Sequence, residues 1–166
     1  MIGKKIEKAL NEQINRELYS AYLYLGMSAQ SHALGLRGAG NWFYVQYQEE
    51  TGHALKLYKY LLEQGAGVEL ASIDKPKATF TTLLAMFEAT LKHERFITQS
   101  INDLMGLAVS EKDYATQIML QWFVTEQVEE EANDTEFVTT LKMAGSSAGT
   151  LLMLDKQLGK RVFKTG

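Results

Sequence analysis

Residues 48–61 read QEETGHALKLYKYL, and they follow the equally aromatic stretch NWFYVQY at 41–47. Apolar side chains recur here at steps of three and four residues, which is the spacing of one face of an amphipathic helix. Glu50 and His53 fall within that apolar face, where a charged side chain is costly unless it has a partner. This stretch therefore predicts a helix that directs polar side chains toward the interior of the protein.

The same helical periodicity runs through most of the chain. The sequence contains one proline, Pro76, and its glycines concentrate near 35–40, 65–67 and 145–149, so the intervening segments are long and contain few helix breakers. Such segments are too long for strands. The sequence predicts helices at 4–33, 39–64, 79–107, 111–142 and 147–161.

The lengths of the predicted helices and of their connections indicate the fold. A helix of about 28 residues is ~42 Å long, so four of them favour an elongated bundle. The connections at 34–38 and 108–110 are short and predict antiparallel neighbours, whereas 65–78 is long enough to travel the length of the bundle. We therefore predict an all-α fold, with a four-helix bundle at about 4–142, one long crossover between the second and third helices, and a short fifth helix at about 147–161.

Composition restricts the possible functions. The 166 residues, 46% of them hydrophobic and 22% charged, are enough for one domain, 1–166. The sequence has no cysteine, which excludes disulfides, thiolate metal sites and cysteine nucleophiles. The net charge is −3 and basic residues are dispersed, so no nucleic acid partner is expected. Neither a secretory signal nor a membrane-length apolar run is present, which predicts a cytoplasmic protein without a membrane partner.

Every long predicted helix carries a metal-ligand type of residue on its apolar face. A buried carboxylate costs several kcal/mol unless it is paired, protonated or bound to a cation. The nearby Arg and Lys side chains lie mostly off the apolar faces, so a metal ion is a better partner than a protein cation. The inward-facing polar residues are Glu17 on the first helix, Glu50 and His53 on the second, Glu94 on the third, and Gln127 and Glu130 on the fourth.

The spacing of these residues repeats in the two halves of the chain. Glu50 follows Glu17 by 33 residues and Gln127 follows Glu94 by the same number; His53 and Glu130 each follow the same two glutamates by 36. Two helical hairpins thus contribute equivalent ligands, which is how bundle cores form paired-metal carboxylate sites. Carboxylates with one imidazole favour iron or manganese, and iron that cycles between its ferrous and ferric states would support oxygen chemistry.

Four segments together resemble the non-haem ferritins of bacteria and archaea. They are NRELYSAYLY at 15–24, the QEETGH segment, KHE at 92–94 and WFVTEQVEEE at 122–131, and the likeness extends along essentially the whole chain. The resemblance implies a ferritin-like bundle that stores and detoxifies iron. It also implies a ferroxidase that oxidises Fe(II) to Fe(III) with O₂ or H₂O₂ and deposits ferric mineral in a hollow homo-oligomer of 24 subunits.

The resemblance also implies roles for individual residues. One iron would be held by Glu17, Glu50 and His53, and Glu50 would bridge to a second iron held by Glu94 and Glu130. Beside this centre, Gln127 would orient bound water or oxygen, and Tyr24 would form a hydrogen bond and donate electrons, with Trp122 a second candidate for electron donation. A third, inward-leading iron site would consist of Glu49, Glu126 and Glu129, with Glu130 shared.

Departures from related families narrow this interpretation. Bacterioferritins repeat Glu-x-x-His on the fourth helix, where this chain has Gln127-x-x-Glu130, and their haem-binding Met corresponds to Thr51 here. We therefore expect iron and no haem. Rubrerythrin-like peroxidases need a cysteine-rich iron domain, which this chain lacks.

Other interpretations remain open at this stage. The chain could be a di-iron oxidase or peroxidase of the same bundle class that stores no metal, or a structural bundle without metal. The glutamates of the third site could form an ordinary solvated acidic face, and Tyr24 could serve only in the core. His32 and His93 are expected at the surface.

Overall fold

A computed structural model describes residues 2–77 and 79–164, and within these residues the chain forms five α-helices and no strand. The all-α prediction is confirmed. Met1, Ala78 and residues 165–166 lie outside the described part, so the last residue of the predicted crossover and the assignment of 1–166 to one domain stay predictions. The helices are α1 (Lys4–Ala33), α2 (Arg37–Glu63), α3 (Leu83–Ser110), α4 (Tyr114–Ala144) and α5 (Ala148–Leu158).

Capping side chains mark where α3 and α4 begin. Helix α3 begins at Leu83 rather than at 79, because the Thr82 hydroxyl accepts a hydrogen bond from the N–H of Ala85 at 3.1 Å. Helix α4 begins at Tyr114 rather than at 111, because Asp113 accepts from the N–H of Thr116 at 3.0 Å. The predicted helices were displaced by a few residues at these ends, whereas the first was predicted at its observed bounds.

Helix α2 begins two residues earlier than predicted, and α5 supplies the reason. The Asp155 carboxylate accepts hydrogen bonds from the N–H groups of Gly38 at 3.1 Å and Ala39 at 2.8 Å. These are donors that the first turn of a helix leaves without intrahelical partners. Helix α5 itself ends at Leu158, three residues before the predicted end. The contact thus caps α2 and fixes α5 against the bundle.

The long crossover between α2 and α3 is fixed to α1 by two asparagines. The Asn11 side chain donates to the carbonyl of Gly67 at 3.0 Å and accepts from the N–H of Glu69 at 2.7 Å. One turn later, the Asn15 amide donates to the carbonyl of Ser72 at 3.0 Å. These bonds satisfy backbone groups of a segment that has no regular secondary structure.

Two apolar clusters form the core, one toward each end of the bundle. One cluster includes Leu23, Phe43, Phe87 and Leu141, and the other includes Leu10, Leu57, Ile97 and Phe123. Each of the four long helices passes from one cluster to the other, and its inward-facing polar residues lie between the two. We call six of the buried polar side chains at this level the polar layer: Glu17, Glu50, His53, Glu94, Gln127 and Glu130.

Among the described residues, no helix combines the length and apolar character needed to cross a membrane.

Candidate metal centre

All six members of the polar layer are buried, with at most 6% of their surface exposed. Helical spacing explains this arrangement, because residues three or seven positions apart share a face. His53 lies one turn after Glu50, and Glu130 one turn after Gln127. The structure thus brings into one level the residues that the sequence predicted for a two-metal centre.

Glu17, Glu50 and His53 form the tightest group of possible metal ligands. One ligand atom from each lies within 4.8 Å of the others. The His53 Nδ1 atom is 3.3 Å from Glu50 Oε2 and 4.0 Å from Glu17 Oε2. Glu17 Oε2 is buried without a hydrogen-bond partner, which is costly unless a cation takes that position. Two carboxylates and an imidazole, with Glu17 Oε2 free to accept a bond from a metal, are suitable ligands for Fe(II).

Glu94 is held from two sides. The Tyr24 hydroxyl donates a hydrogen bond to Glu94 Oε1, and the Gln127 side-chain amide donates to Glu94 Oε2 at 3.1 Å. The same amide lies 3.2 Å from the carbonyl oxygen of Glu94. Tyr24 and Gln127, both predicted beside the centre, therefore orient the carboxylate that α3 contributes to the polar layer.

Two glutamines that the sequence interpretation missed orient the other carboxylates. The Gln13 amide donates to Glu17 Oε1 at 2.7 Å. The Gln46 amide donates both to Glu50 Oε1 at 2.8 Å and to Glu130 Oε1 at 3.0 Å, and so connects α2 with α4. Each glutamine precedes a predicted ligand by four residues on the same helical face, which is the sequence signal that could have revealed it.

Burial makes the ionised carboxylates of the polar layer unfavourable. It raises the pKa of Glu17 to about 8 and that of Glu130 to about 8, and the nearby negative charge of Glu50 raises both further. For the same two reasons the pKa of Glu94 lies well above its ordinary value. With raised pKa values, these side chains keep their protons at neutral pH, so binding of a metal ion here would release protons.

His53 and Glu50 form the ionised pair within the layer. Burial alone would lower the pKa of His53, but the Glu50 carboxylate outweighs it and raises this pKa to about 10. Burial would raise the pKa of Glu50, yet the facing imidazolium of His53 holds it below its ordinary value. A metal ligand must be a neutral imidazole, so a metal ion bound here would take the place of the His53 proton.

The three residues predicted for a third iron site lie beside the polar layer. Glu49, Glu126 and Glu129 line a cavity of about 460 Å³, and Glu130 is part of the same wall. The Arg161 guanidinium pairs with the Glu49 carboxylate. The sequence interpretation missed Arg161 because this contact forms only when the segment after α5 folds back onto α2.

Aromatic and histidine side chains surround the centre. The Trp122 ring lies 5.2 Å from that of His53, and the Lys56 ammonium lies 3.7 Å from the centre of the indole.

His32 is exposed, as predicted. The surface prediction is wrong for His93, which is half-buried, forms a 2.7 Å hydrogen bond with Ser20 and packs 6.1 Å from Tyr24. Aromatic residues of α1 and α3 cover it.

Asp134 is a further buried acid that the sequence interpretation missed. It is 0% exposed, and neither carboxylate oxygen has a hydrogen-bond partner in the described part of the chain. It follows Glu130 by one helical turn, so its position on the inward face was visible in the sequence. Burial raises the pKa of Asp134 to about 8. The positive charge of Arg161 lowers this pKa, whereas the negative charges of Glu50 and Glu131 raise it further.

We expect the free energy of unfolding of the iron-free protein to fall as pH rises from about 4 to 8, and Asp134→Asn to reduce that fall. The folded protein keeps the Asp134 proton up to a pKa of about 8, whereas the unfolded chain loses it near 3.8. The stability that the Asp134 proton contributes is therefore fully present below the pKa of the unfolded chain and is lost as pH rises through the pKa of the folded protein. Chemical denaturation at several pH values measures the slope. Asp103→Asn, at an exposed aspartate, is the control; equal slopes in both variants would contradict the assignment.

Comparison with known proteins agrees with this geometry. Residues 7–144 match the family model for a ferritin-like domain. A bacterial non-heme ferritin of Campylobacter jejuni is 43% identical over 158 residues, 95% of each chain, and one of Staphylococcus aureus is 36% identical over 98% of each.

The chain is also similar to a solved structure of an open pore ferritin from the archaeon Archaeoglobus fulgidus. The two superpose with a TM-score of 0.97 at 44% identity, over 98% of this chain and 100% of the archaeal chain. The matches extend over the helices that form the polar layer. Together with the five-helix fold, they confirm the predicted family. This chain therefore belongs to the ferritin family and serves in iron storage and iron oxidation.

Proposed function

We propose that the chain is the subunit of a hollow ferritin cage that oxidises Fe(II) with O₂ or H₂O₂ at a di-iron centre inside each subunit and deposits ferric mineral within the cage. The observation that carries this proposal is the polar layer, in which Glu17, Glu50 and His53 converge between the two apolar clusters of the bundle. Iron is the substrate and the stored cargo, not a resident cofactor.

In this proposal, each ligand has a defined role. Glu17, Glu50 and His53 hold one Fe(II), and Glu50 bridges to a second Fe(II) that Glu94 and Glu130 hold. Two Fe(II) ions carry four positive charges, which balance the four carboxylates once these have lost their protons. Oxidation passes one electron from each Fe(II) to O₂ or H₂O₂, so the reduced oxygen gains the two negative charges that offset the two positive charges gained by the irons. The four carboxylates then no longer have to balance the product alone, and the ferric product can leave toward further acids.

The acids beside the polar layer provide such a path. Glu49, Glu126 and Glu129 share one cavity with Glu130, and we assign them a third iron site through which the product passes inward. Carboxylate oxygens are suitable ligands for this purpose because hard ferric ions prefer oxygen donors.

Tyr24 and Gln127 support the oxidation from the side of α3. Both donate hydrogen bonds to Glu94. Burial and the nearby carboxylates raise the pKa of Tyr24 well above its ordinary value, so the phenol keeps its proton. An electron taken from Tyr24 can therefore be accompanied by transfer of its proton to Glu94. Trp122, in contact with His53, is the second candidate electron donor. Gln127 orients water or oxygen beside the irons.

Exposed apolar side chains support assembly into a homo-oligomer. Leu55 and Leu62 on α2 are 57% and 51% exposed, and Met153 on α5 is 72% exposed. Leu55 and Leu62 are seven positions apart on one face of α2, and exposed apolar side chains grouped in this way are typical of surfaces covered by another subunit. We propose 24 subunits, with α5 at the four-fold contacts, in a cytoplasmic protein that binds no haem, nucleic acid or membrane.

An anaerobic Fe(II) titration followed by exposure to O₂ tests the proposed function. We expect two tightly bound Fe(II) per chain, ferric absorbance that rises faster than in buffer, and ferric iron that elutes with an assembly much larger than a dimer. Rapid oxidation by a monomer or dimer that retains no iron would instead indicate the non-storage oxidase or peroxidase. A rate equal to that in buffer would indicate a bundle without a metal function.

A further inference from the structure

Arg161 has a fixed position at the boundary between the polar layer and the third-site cavity. It belongs to the segment 159–164, which follows α5 and returns to α2. The Asn41 amide donates to the carbonyl oxygen of Arg161 at 2.9 Å, and the guanidinium lies 4.4 Å from the centre of the Trp42 ring. Only 21% of its side chain is exposed. These contacts distinguish Arg161 from a mobile surface arginine.

The guanidinium of Arg161 makes two hydrogen bonds at once. Its Nη1 donates to Gln46 Oε1 at 2.7 Å, and its Nη2 donates to the Glu49 carboxylate. The same Gln46 side chain donates through its amide nitrogen to Glu50 and Glu130. One arginine is therefore connected to the proposed di-iron centre on one side and to the proposed third site on the other.

We propose that the Arg161 guanidinium occupies a cation position of the third site and competes with iron for the Glu49 carboxylate, so that iron moves inward by displacing it. The proposal rests on the proposed function, because it concerns the same iron path. It adds a residue that regulates when the third site is available.

Charge and hydrogen bonding support this competition. A carboxylate that accepts a charge-assisted hydrogen bond from arginine must give up that bond before it can ligate a metal. Iron carries at least twice the charge of the guanidinium, and the cavity also offers it the carboxylates of Glu126, Glu129 and Glu130, so it can displace the arginine. The contacts of Arg161 with Asn41 and Trp42 keep the displaced side chain nearby. It can then return to Glu49 when the iron has moved on.

The contact with Gln46 connects this displacement to the di-iron centre. While Arg161 is in place, its donation to Gln46 Oε1 fixes the amide so that the nitrogen faces Glu50 and Glu130. When the guanidinium leaves, this orientation loses its support. The carboxylates of the centre then become freer to change their mode of coordination as the product departs.

Anaerobic calorimetry with Fe(II) on the assembled protein tests the competition. Arg161→Gln removes the charge and keeps an amide that can donate to Gln46. We expect the third equivalent of Fe(II) per chain to bind about tenfold more tightly in this variant, which corresponds to the loss of one charge-assisted hydrogen bond of about 1.4 kcal/mol. Lys160→Gln is the matched control, because Lys160 lines the same cavity. We expect less than a twofold change there.

Three results would overturn the proposal: no gain in Arg161→Gln, an equal gain in Lys160→Gln, or a gain that persists when Glu49→Gln is also present. If Arg161→Gln fails to fold, Arg161→Lys replaces it, with an expected gain of about threefold because lysine lacks the planar pair of donors; no gain would again refute the competition. The first two equivalents in the unsubstituted protein test the proposed function separately, since their absence would remove the di-iron centre itself.

Discussion

Replacing Glu94 by alanine should lower the initial rate of Fe(II) oxidation at least a hundredfold, or about 2.7 kcal/mol in the activation free energy. Glu94 is the carboxylate that α3 contributes to the polar layer, and it is 1% exposed. Its loss removes a ligand of the proposed second iron and leaves Tyr24 and Gln127 without their common acceptor. Stopped-flow absorbance of the ferric product in oxygenated buffer measures the effect.

Two further variants make this test specific. Glu88→Ala removes an exposed glutamate of the same helix, which pairs with Lys142 at 3.0 Å, and it should leave the initial rate within twofold of the original. Glu129→Ala removes a proposed ligand of the third site and should change the stoichiometry or the rate of repeated turnover. Equal initial rates in the original protein and in Glu94→Ala would contradict the assignment of the centre.

Replacing Gly38 by alanine should lower the free energy of unfolding by about 3 kcal/mol, the upper end of the usual range for a forced overlap in a packed region. A Cβ atom at this position would lie 1.6 Å from the carbonyl oxygen of Asp155 and 2.5 Å from the carbonyl carbon. Because both atoms belong to the backbone of α5, the helix itself must move away. The movement also breaks the cap that Asp155 provides to α2.

The matched control for this change is Gly52→Ala in the same helix. No heavy atom lies within 4 Å of the Cβ that it adds, so it should stabilise the protein by up to about 1 kcal/mol through helix propensity alone. Chemical denaturation of the two variants gives the comparison. A midpoint for Gly38→Ala equal to that of the unsubstituted protein would show that α5 is not fixed by this contact.

Periodicity predicted the existence and order of the helices because the apolar faces extend over seven or eight turns. The helix ends depended on weaker signals. Thr82 and Asp113 are ordinary N-cap residues, but the sequence contains many such residues, and only the structure shows which of them accept a backbone hydrogen bond. The early start of α2 could not be predicted, because its cap comes from Asp155 more than a hundred residues later.

The candidate centre was predictable for a similar reason and to a similar extent. Glutamates and a histidine on apolar faces are conspicuous because burying a charged side chain costs free energy. The equal spacing of these residues in the two hairpins indicated that they form one site. Gln13 and Gln46 were not predicted, because burying a neutral amide costs less free energy than burying a charge and is therefore a weaker sequence signal. Arg161 is separated from Glu49 by 112 residues, so no local pattern connects the two. Such contacts depend on how distant segments pack.

The position of the polar layer between two apolar clusters restricts the route that iron can take. One cluster closes the bundle with Phe43 and Phe87, and the other closes it with Leu57 and Phe123. Passage along the bundle axis would require a hydrated ion to cross several layers of packed hydrocarbon, which is prohibitively unfavourable. An ion that reaches the polar layer must therefore enter from the side, through gaps between neighbouring helices. The surface that controls its entry is the flank of the bundle rather than its ends.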